Sequence, residues 1–476
     1  MKIKKTLKFT TLYNSLTDSE KFEFYEYLKS SLSPKLHIPK SIIENFKPGV
    51  NISELQLNNL RSQTIWNINS QLSKALKMYI AIKELSNDPD LNYRLIRVQL
   101  KKRNLDRLLT NKCVTRINEL NKSKIQGNSF RNLADAYMDY LQTLLSDDDK
   151  KKQLEVYELY NKYFSLSMIF ELIILRFNNE VTSNSQKESK IYFLNDFYNC
   201  IDFGKIMELL KTNFPNYYPV IGMWNDFYEL YSVKFDLEKY HIVKNNFFSI
   251  MDQFSDELKS GSFNVLTDLL IVKREELGID LDGELFEIFF KKEAQGLTED
   301  FTFNRIGYNH FRDNILIAIN VGEIEWAEYF LNKYSDTLPE KQKNNDLNTG
   351  KARISFSKGE FKDSITFIGK LKKSSFIHYS DYFRISIKAN FELSNYNECF
   401  LLAEKFSEYL KRNKNLPSSF VNGSKFFIKN IAVLSEYKMT SDRKRLKKID
   451  MPKLQVKNSS NKWLLDKFNI LIKSNS

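Results

Sequence analysis

The sequence predicts an all-α fold, an α-solenoid of antiparallel helical hairpins preceded by an N-terminal helical cap. One observation behind this is a spaced pattern that recurs three times in the C-terminal half. Gly322 is followed by Ile324, Ala327, Leu331, Tyr334 and Pro339, and the same frame laid on Gly359 gives Phe361, Ser364, Ile368, Leu371 and Phe376. Laid on Ser394 it gives Tyr396, Cys399, Ala403, Phe406 and Lys411, so the steps are 37 and 35 residues. That is the length of a helical hairpin too small to bury its apolar face alone, so that copies must lean on one another. The other observation is a shortage of turn residues, with 14 Gly and 9 Pro in 476 residues. An all-β chain needs many more, and a βαβ fold uses glycine at its strand-to-helix turns. At 42% hydrophobic residues the chain can fill a large core.

Over residues 311–411 these positions resemble the tetratricopeptide repeat. Ala327, Ser364 and Cys399 stand where that family needs little bulk at a helix crossing. Gly322 and Gly359 stand at the tight turn between the two helices, where a residue without Cβ adopts positive φ. The family's tryptophan and leucine-glycine pair are replaced by Phe311, Asn314 and Ile315 in the first unit and by Asn348, Lys351 and Ala352 in the second. The layout as a whole, with LTDSEKFEFYEYLKS near the start, irregular helices and then the repeats, is similar to a group of bacterial helical-repeat proteins. The resemblance implies architecture and names no substrate.

Taken in order, Thr17 and Glu20 have the capping-box spacing and start a helix through about Lys29. Pro34, Pro39 and Pro48 break the next stretch into short turns. A long helix is expected from near Ser53, with Leu57, Leu60, Ile65, Ile68, Leu72, Leu76, Tyr79 and Ile82 on one stripe. Further helices are expected at 92–109, 130–145, 151–178, 190–210, 222–231, 237–258, 262–276 and 284–296. Asp147, Asp148 and Asp149 supply acid at a helix start, before Lys150. The polar run at 182–189 reads as a loop and a boundary. The aromatic residues after it, Tyr198, Phe203, Trp224, Phe227 and Tyr231 among them, read as filling between hairpins. The expected division is 1–88 as the cap, 89–185 as a helical region, 186–310 as aromatic-rich hairpins, 311–437 as the repeats, and 438–476 as a basic connector with a terminal helix carrying Trp463, Leu464, Phe468, Leu471 and Ile472.

No motif in the sequence carries catalysis. His37, His241, His310 and His378 have no partner at metal or dyad spacing and read as surface or interface residues. The Asp280, Asp282 and Gly283 turn lacks the carboxylates that would begin and end a calcium loop, and Gly369-Lys370 lacks the rest of a phosphate-binding loop. Neither an enzymatic activity nor a cofactor is expected. Cys113, Cys200 and Cys399 are expected to stay reduced and buried, which fits a cytoplasmic setting. The opening residues lack a signal-peptide core, and the best apolar run, 166–175, contains Glu171 and falls short of a membrane span.

The charge of +13 is concentrated at one end: residues 401–476 hold 17 Lys and Arg against 6 Asp and Glu. A patch of one sign points to an acidic partner. The candidates for contact with one are Lys411, Arg412 and Lys414, and then Arg443, Lys444, Arg445, Lys447 and Lys448, with Lys438, Lys453 and Lys457 around them. The first group equally completes a helix C-terminus, and the second equally forms a solvated connector. The expected function is therefore a protein-protein interaction scaffold or adaptor subunit that binds its partner along the inner helices of the stack. The alternative is a nucleic-acid-binding regulator that uses the basic end, although no aromatic side chain is interleaved with those cations to stack on bases.

Overall fold

The computed structural model describes residues 8–30, 37–44, 62–145, 149–185, 192–232, 235–299, 306, 308–373, 375–449 and 459–473. Among them every regular element is helical, and the one β feature is an isolated parallel bridge between Ile125 and Phe254. The chain divides into two compact units, Met1–Ser123 with Phe130–Ser165, and Lys124–Ser129 with Leu166–Ser476.

In the first unit, α1 (Lys8–Asn14), α2 (Asp18–Lys29), α3 (Lys40–Glu44) and α4 (Ser62–Asn87) enclose a core around Phe9, Phe24, Leu72 and Leu76. The capping box forms as the spacing predicts: the Glu20 amide donates to Thr17 Oγ1 at 3.3 Å, and the Thr17 amide donates to Glu20 Oε2 at 2.8 Å. The expected start of the long helix at Ser53, with Leu57 and Leu60, lies outside the described residues, as do Pro34, Pro48, Asp147 and Asp148. The helix expected at 92–109 is two, α5 (Pro89–Lys102) and α6 (Asp106–Lys122), because Asn104 takes a positive φ of 52° between them. Asp88 caps α5 with Pro89 in its first turn, a start signal upstream of the expected one. With α7 (Ser129–Leu144), these helices bury Asp139 against Arg97 at 2.7 Å and Lys101 at 2.7 Å. The 36-residue α8 (Lys150–Ser185) follows; Asp149 accepts from the Lys152 amide at 3.0 Å, so acid does stand at that helix start. The division between the units falls within α8. The helix also takes in the first half of the polar run, through Ser185.

In the second unit, α9 (Tyr192–Asn199), α10 (Phe203–Asn213), α11 (Tyr218–Ser232), α12 (Leu237–Ile250), α13 (Asp256–Leu277) and α14 (Asp282–Ala294) lead to the repeats. The helix expected across 237–258 is interrupted by a short 3₁₀ turn and restarts with Ser255 accepting from the Leu258 amide at 3.3 Å. Three hairpins follow: α15 (Tyr308–Val321) with α16 (Ile324–Tyr334), α17 (Glu340–Ser357) with α18 (Phe361–Gly369), and α19 (Phe376–Glu392) with α20 (Tyr396–Arg412). Each helix packs on the next, and the first helices also pack on one another, α15 on α17 and α17 on α19. This is solenoid packing. Then come α21 (Ser418–Thr440), a 3₁₀ segment (Arg443–Lys448) and α22 (Ser459–Lys473). As expected of the terminal helix, α22 buries Leu464, Phe468 and Leu471 on the body; the side chain of Ile472 lies outside the described residues.

The three hairpin turns are the same structure. The amide one residue after the turn position donates back five residues, Glu323 to Ala318 at 2.9 Å, Glu360 to Ser355 at 2.9 Å and Asn395 to Asn390 at 2.8 Å. This closes each first helix on a left-handed residue: φ is 94° at Gly322, 81° at Gly359 and 62° at Ser394. Gly359→Ala is expected to cost about 1–2 kcal/mol, because an L-residue at that φ brings its Cβ against the backbone. The loss will show as a lower urea midpoint with an unchanged slope. The small residues lie at helix crossings, with Ala327 and Ser364 fully buried and Cys399 nearly so. Ser364 Oγ donates to the Ala352 carbonyl at 2.7 Å and Cys399 Sγ to the Ile387 carbonyl at 3.4 Å, each crossing to the first helix of its own hairpin. Cys200 departs from expectation. It sits at the exposed end of α9, with its Sγ on the Asp196 carbonyl at 3.3 Å, because the helix expected across it stops at Asn199.

Candidate binding cleft on the first helices of the repeats

The first helices of the three hairpins bring together charged side chains that are far apart in sequence. Asp381 on α19 is 2% exposed. Arg312 on α15 grips it with two donors, Nε at 3.0 Å and Nη2 at 3.1 Å, and Arg353 on α17 adds a third at 2.6 Å. Burial alone would raise the Asp381 pKa, but the two guanidinium groups overcome it and pull the carboxyl down to about 2.

Further along α19 the cations lack such a partner. Among the described residues Arg384 reaches only neutral hydroxyls, Ser380 at 3.2 Å and Ser424 at 3.5 Å, and it lies 4.9 Å from the centre of the Phe427 ring. Lys388, one turn on, has no hydrogen-bond or ion-pair partner among the described residues; its ammonium lies 5.5 Å from the Trp463 ring centre. Burial, then the nearby Arg384 and Arg353, push the Lys388 pKa down to about 7 against the opposing pull of Glu392. Glu392 is itself engaged, accepting from Trp463 Nε1 at 2.8 Å and from Lys467 at 2.7 Å. Burial likewise lowers Arg384 to about 10.

Arg353 and Lys388 open into a cleft of about 370 Å³ between α15, α17, the start of α18, α19 and α22, walled by Leu316, Phe356, Phe361 and Trp463. Lys462 stands at its edge and donates to the Asn320 carbonyl at 3.1 Å. Glu392 and Asp466 also line it, and Arg353 is already paired with Asp381, so the cation that can take an anionic group beside the apolar walls is Lys388. Among the described residues, no group of three metal-ligating side chains converges, and no helix is long and apolar enough to cross a membrane. Comparison with family models, with curated proteins and with solved structures finds no match to this chain.

The residues singled out in the sequence lie elsewhere. Lys411 and Arg412 are exposed in the last turn of α20, where Arg412 pairs with Glu408 at 3.1 Å, and Lys414 is exposed just beyond. In the 3₁₀ segment, Asp442 accepts from the Lys444 amide at 3.0 Å. Arg445 is half-buried and pairs with Glu436 and, at 3.7 Å, with Asp442. Lys444 and Lys447 are exposed; the side chains of Arg443 and Lys448, and all of Lys453 and Lys457, lie outside the described residues. Among the described residues, no hydrogen bond or ion pair joins the two basic groups.

The histidines vary. His37 is exposed, His241 meets Glu284 at 3.0 Å, and His378 is buried, which the sequence reading as surface or interface did not anticipate. His310 is half-buried, and burial with Lys292 nearby lowers its pKa to about 4. The carboxylates of the rejected calcium turn are used internally, Asp282 by Arg274 at 2.6 Å and Asn320 at 2.8 Å, and Asp280 by the Asp282 amide at 3.1 Å.

Proposed function

We propose that this chain is a non-catalytic helical-repeat protein, tetratricopeptide-like in its last three hairpins, that binds a protein partner along the first helices of those hairpins, α15, α17 and α19. The partner presents an acidic residue to Lys388 while its apolar side chains lie on Phe356, Phe361 and Trp463. One observation carries the reading: among the described residues Lys388 stands in a partly apolar cleft with no ion-pair partner of its own, the nearby Glu392 being taken by Trp463 and Lys467, an arrangement that disfavours the free state and favours a complex. The basic end gains no comparable support, since Arg445 is already committed to Glu436 and Asp442.

Affinity purification from the native cell after nuclease treatment tests this. A protein partner is expected to be recovered with the unmodified chain and to fall at least tenfold with Lys388→Met, whose melting temperature stays near that of the parent. Recovery should also be greater at pH 6 than at pH 8, because Lys388 loses its charge near pH 7. Recovery that depends on nucleic acid, or that Lys388→Met leaves unchanged, would overturn the reading.

A further inference from the structure

A second cleft in the same unit, of about 550 Å³, lies among the C-terminal half of α8, α9, the start of α10, and α11. Its volume is in the range of small-molecule sites. Arg176 of α8 projects into it with both faces of its guanidinium covered: the central carbon is 3.9 Å from the centre of the Phe203 ring and 3.6 Å from that of Tyr228. A guanidinium carries its donors in its own plane, so two stacked rings leave the edge as the open approach. Among the described residues that edge has no hydrogen-bond or ion-pair partner.

The two carboxylates on the cleft wall are already engaged. Asp202 accepts from the Lys205 amide at 3.0 Å through one oxygen and lies 3.3 Å from the Lys205 ammonium through the other, and Glu180 has an interaction of its own. Arg176 is therefore an oriented, unspent cation at the wall of a cavity. Its neighbours Asn199 and Tyr228 offer neutral hydrogen-bonding groups beside it.

We propose that this cleft is a binding site for a small molecule bearing an oxyanion, a carboxylate or a phosphate, whose two oxygens are taken edge-on by the Arg176 guanidinium between Phe203 and Tyr228. The chemistry follows from the fork. Two parallel N–H donors at fixed spacing match two oxygens of one carboxylate or phosphate, and the stacked rings hold the fork in place before the ligand arrives. The site is independent of the cleft on the repeats.

Thermal unfolding of the full chain in inorganic phosphate or in succinate, each against sodium chloride at equal ionic strength, tests the proposal. At least one probe is expected to raise the melting temperature in a saturable way, and calorimetric titration gives its affinity. A response to phosphate alone identifies a phosphate compound, and a response to succinate alone identifies a carboxylate. Arg176→Lys, which keeps the charge but lacks the fork, is expected to weaken binding tenfold or more. Arg176→Met, which keeps a stem between the rings, should abolish it, while Lys388→Met leaves it unchanged. If neither probe stabilises the parent protein beyond the chloride control, or if either Arg176 variant binds as the parent does, the proposal fails. Should Arg176→Met not fold, the parent and Arg176→Lys decide the matter.

Discussion

Asp381→Asn is expected to lower the unfolding free energy by about 3–5 kcal/mol, the usual cost of removing one partner from a buried ion pair. Asp381 is 2% exposed and accepts three hydrogen bonds from Arg312 and Arg353. An amide in its place would leave both guanidinium groups facing a neutral dipole, with Arg384 and Lys388 adding positive charge nearby. The penalty is thus set by the cations left behind more than by the lost bonds. Urea unfolding at pH 7 measures it. The same carboxyl gives acid sensitivity of a definite sign. Its folded pKa of about 2 lies below the unfolded value of about 3.9, so its contribution is present above pH 4 and is lost as pH falls through 2. Asp381→Asn should remove that part of the acid transition. A loss under 1 kcal/mol at pH 7 would show that Asp381 does not hold the first helices together.

Asp346 should behave in the opposite way. It stands thirteen residues before the turn at Gly359, as Asp381 does before Ser394, so the two are equivalent positions of neighbouring hairpins. Yet both Asp346 oxygens are buried without a partner among the described residues, and burial pushes its pKa up to about 7. The adjoining cavity, of about 10 Å³ between Phe311, Ile315, Thr349 and Gly350, has room for about one water. The folded state therefore holds a proton that the unfolded chain releases near pH 4. The associated stability is complete below that pH and is lost as pH rises through 7. Moving this titration from near 4 in the unfolded chain to about 7 in the folded one corresponds to roughly 4 kcal/mol at most. Asp346→Asn cannot ionise, so the melting temperature of the parent should fall relative to that of the variant between pH 5 and 8, and above pH 7 the variant should be the more stable. Parallel melting curves across this range would count against the assignment.

The difference between these two aspartates shows where sequence reading stops. Spacing, read with the resemblance to the tetratricopeptide repeat, located the turns at Gly322 and Gly359 and the crossings at Ala327, Ser364 and Cys399, and spacing alone located the third frame at Ser394 and the cap at Thr17, because each depends on residues within one hairpin or one helical turn. Nothing local distinguishes Asp346 from Asp381. What separates them is Arg312, which is 69 residues before Asp381 and reaches it across the stack while leaving Asp346 alone. A partial signal was present in the frame itself. Ten residues before the three turns stand Arg312, Thr349 and Arg384, and six before stand Leu316, Arg353 and Lys388, so carrying the frame back into the first helices would have exposed the cationic column. The conspicuous run at Arg443–Lys448 drew attention through density in sequence, whereas the cleft is built from single residues one hairpin apart. Arg176 escaped for the same reason, since Phe203 and Tyr228 flank it from other helices.

The crossing at Cys399 also gives the protein a clock. Its thiol is sealed between two helices, bonded to the Ile387 carbonyl, with burial pushing its pKa up to about 12. A thiol reagent can therefore modify it only as fast as the third hairpin parts. Cys200 lies open to the same reagent, and Cys113 is sealed in the other unit. One open thiol thus sets the reagent's own rate, and two sealed ones sit behind different doors, so the order in which Cys113 and Cys399 are alkylated reads out which part of the chain breathes first.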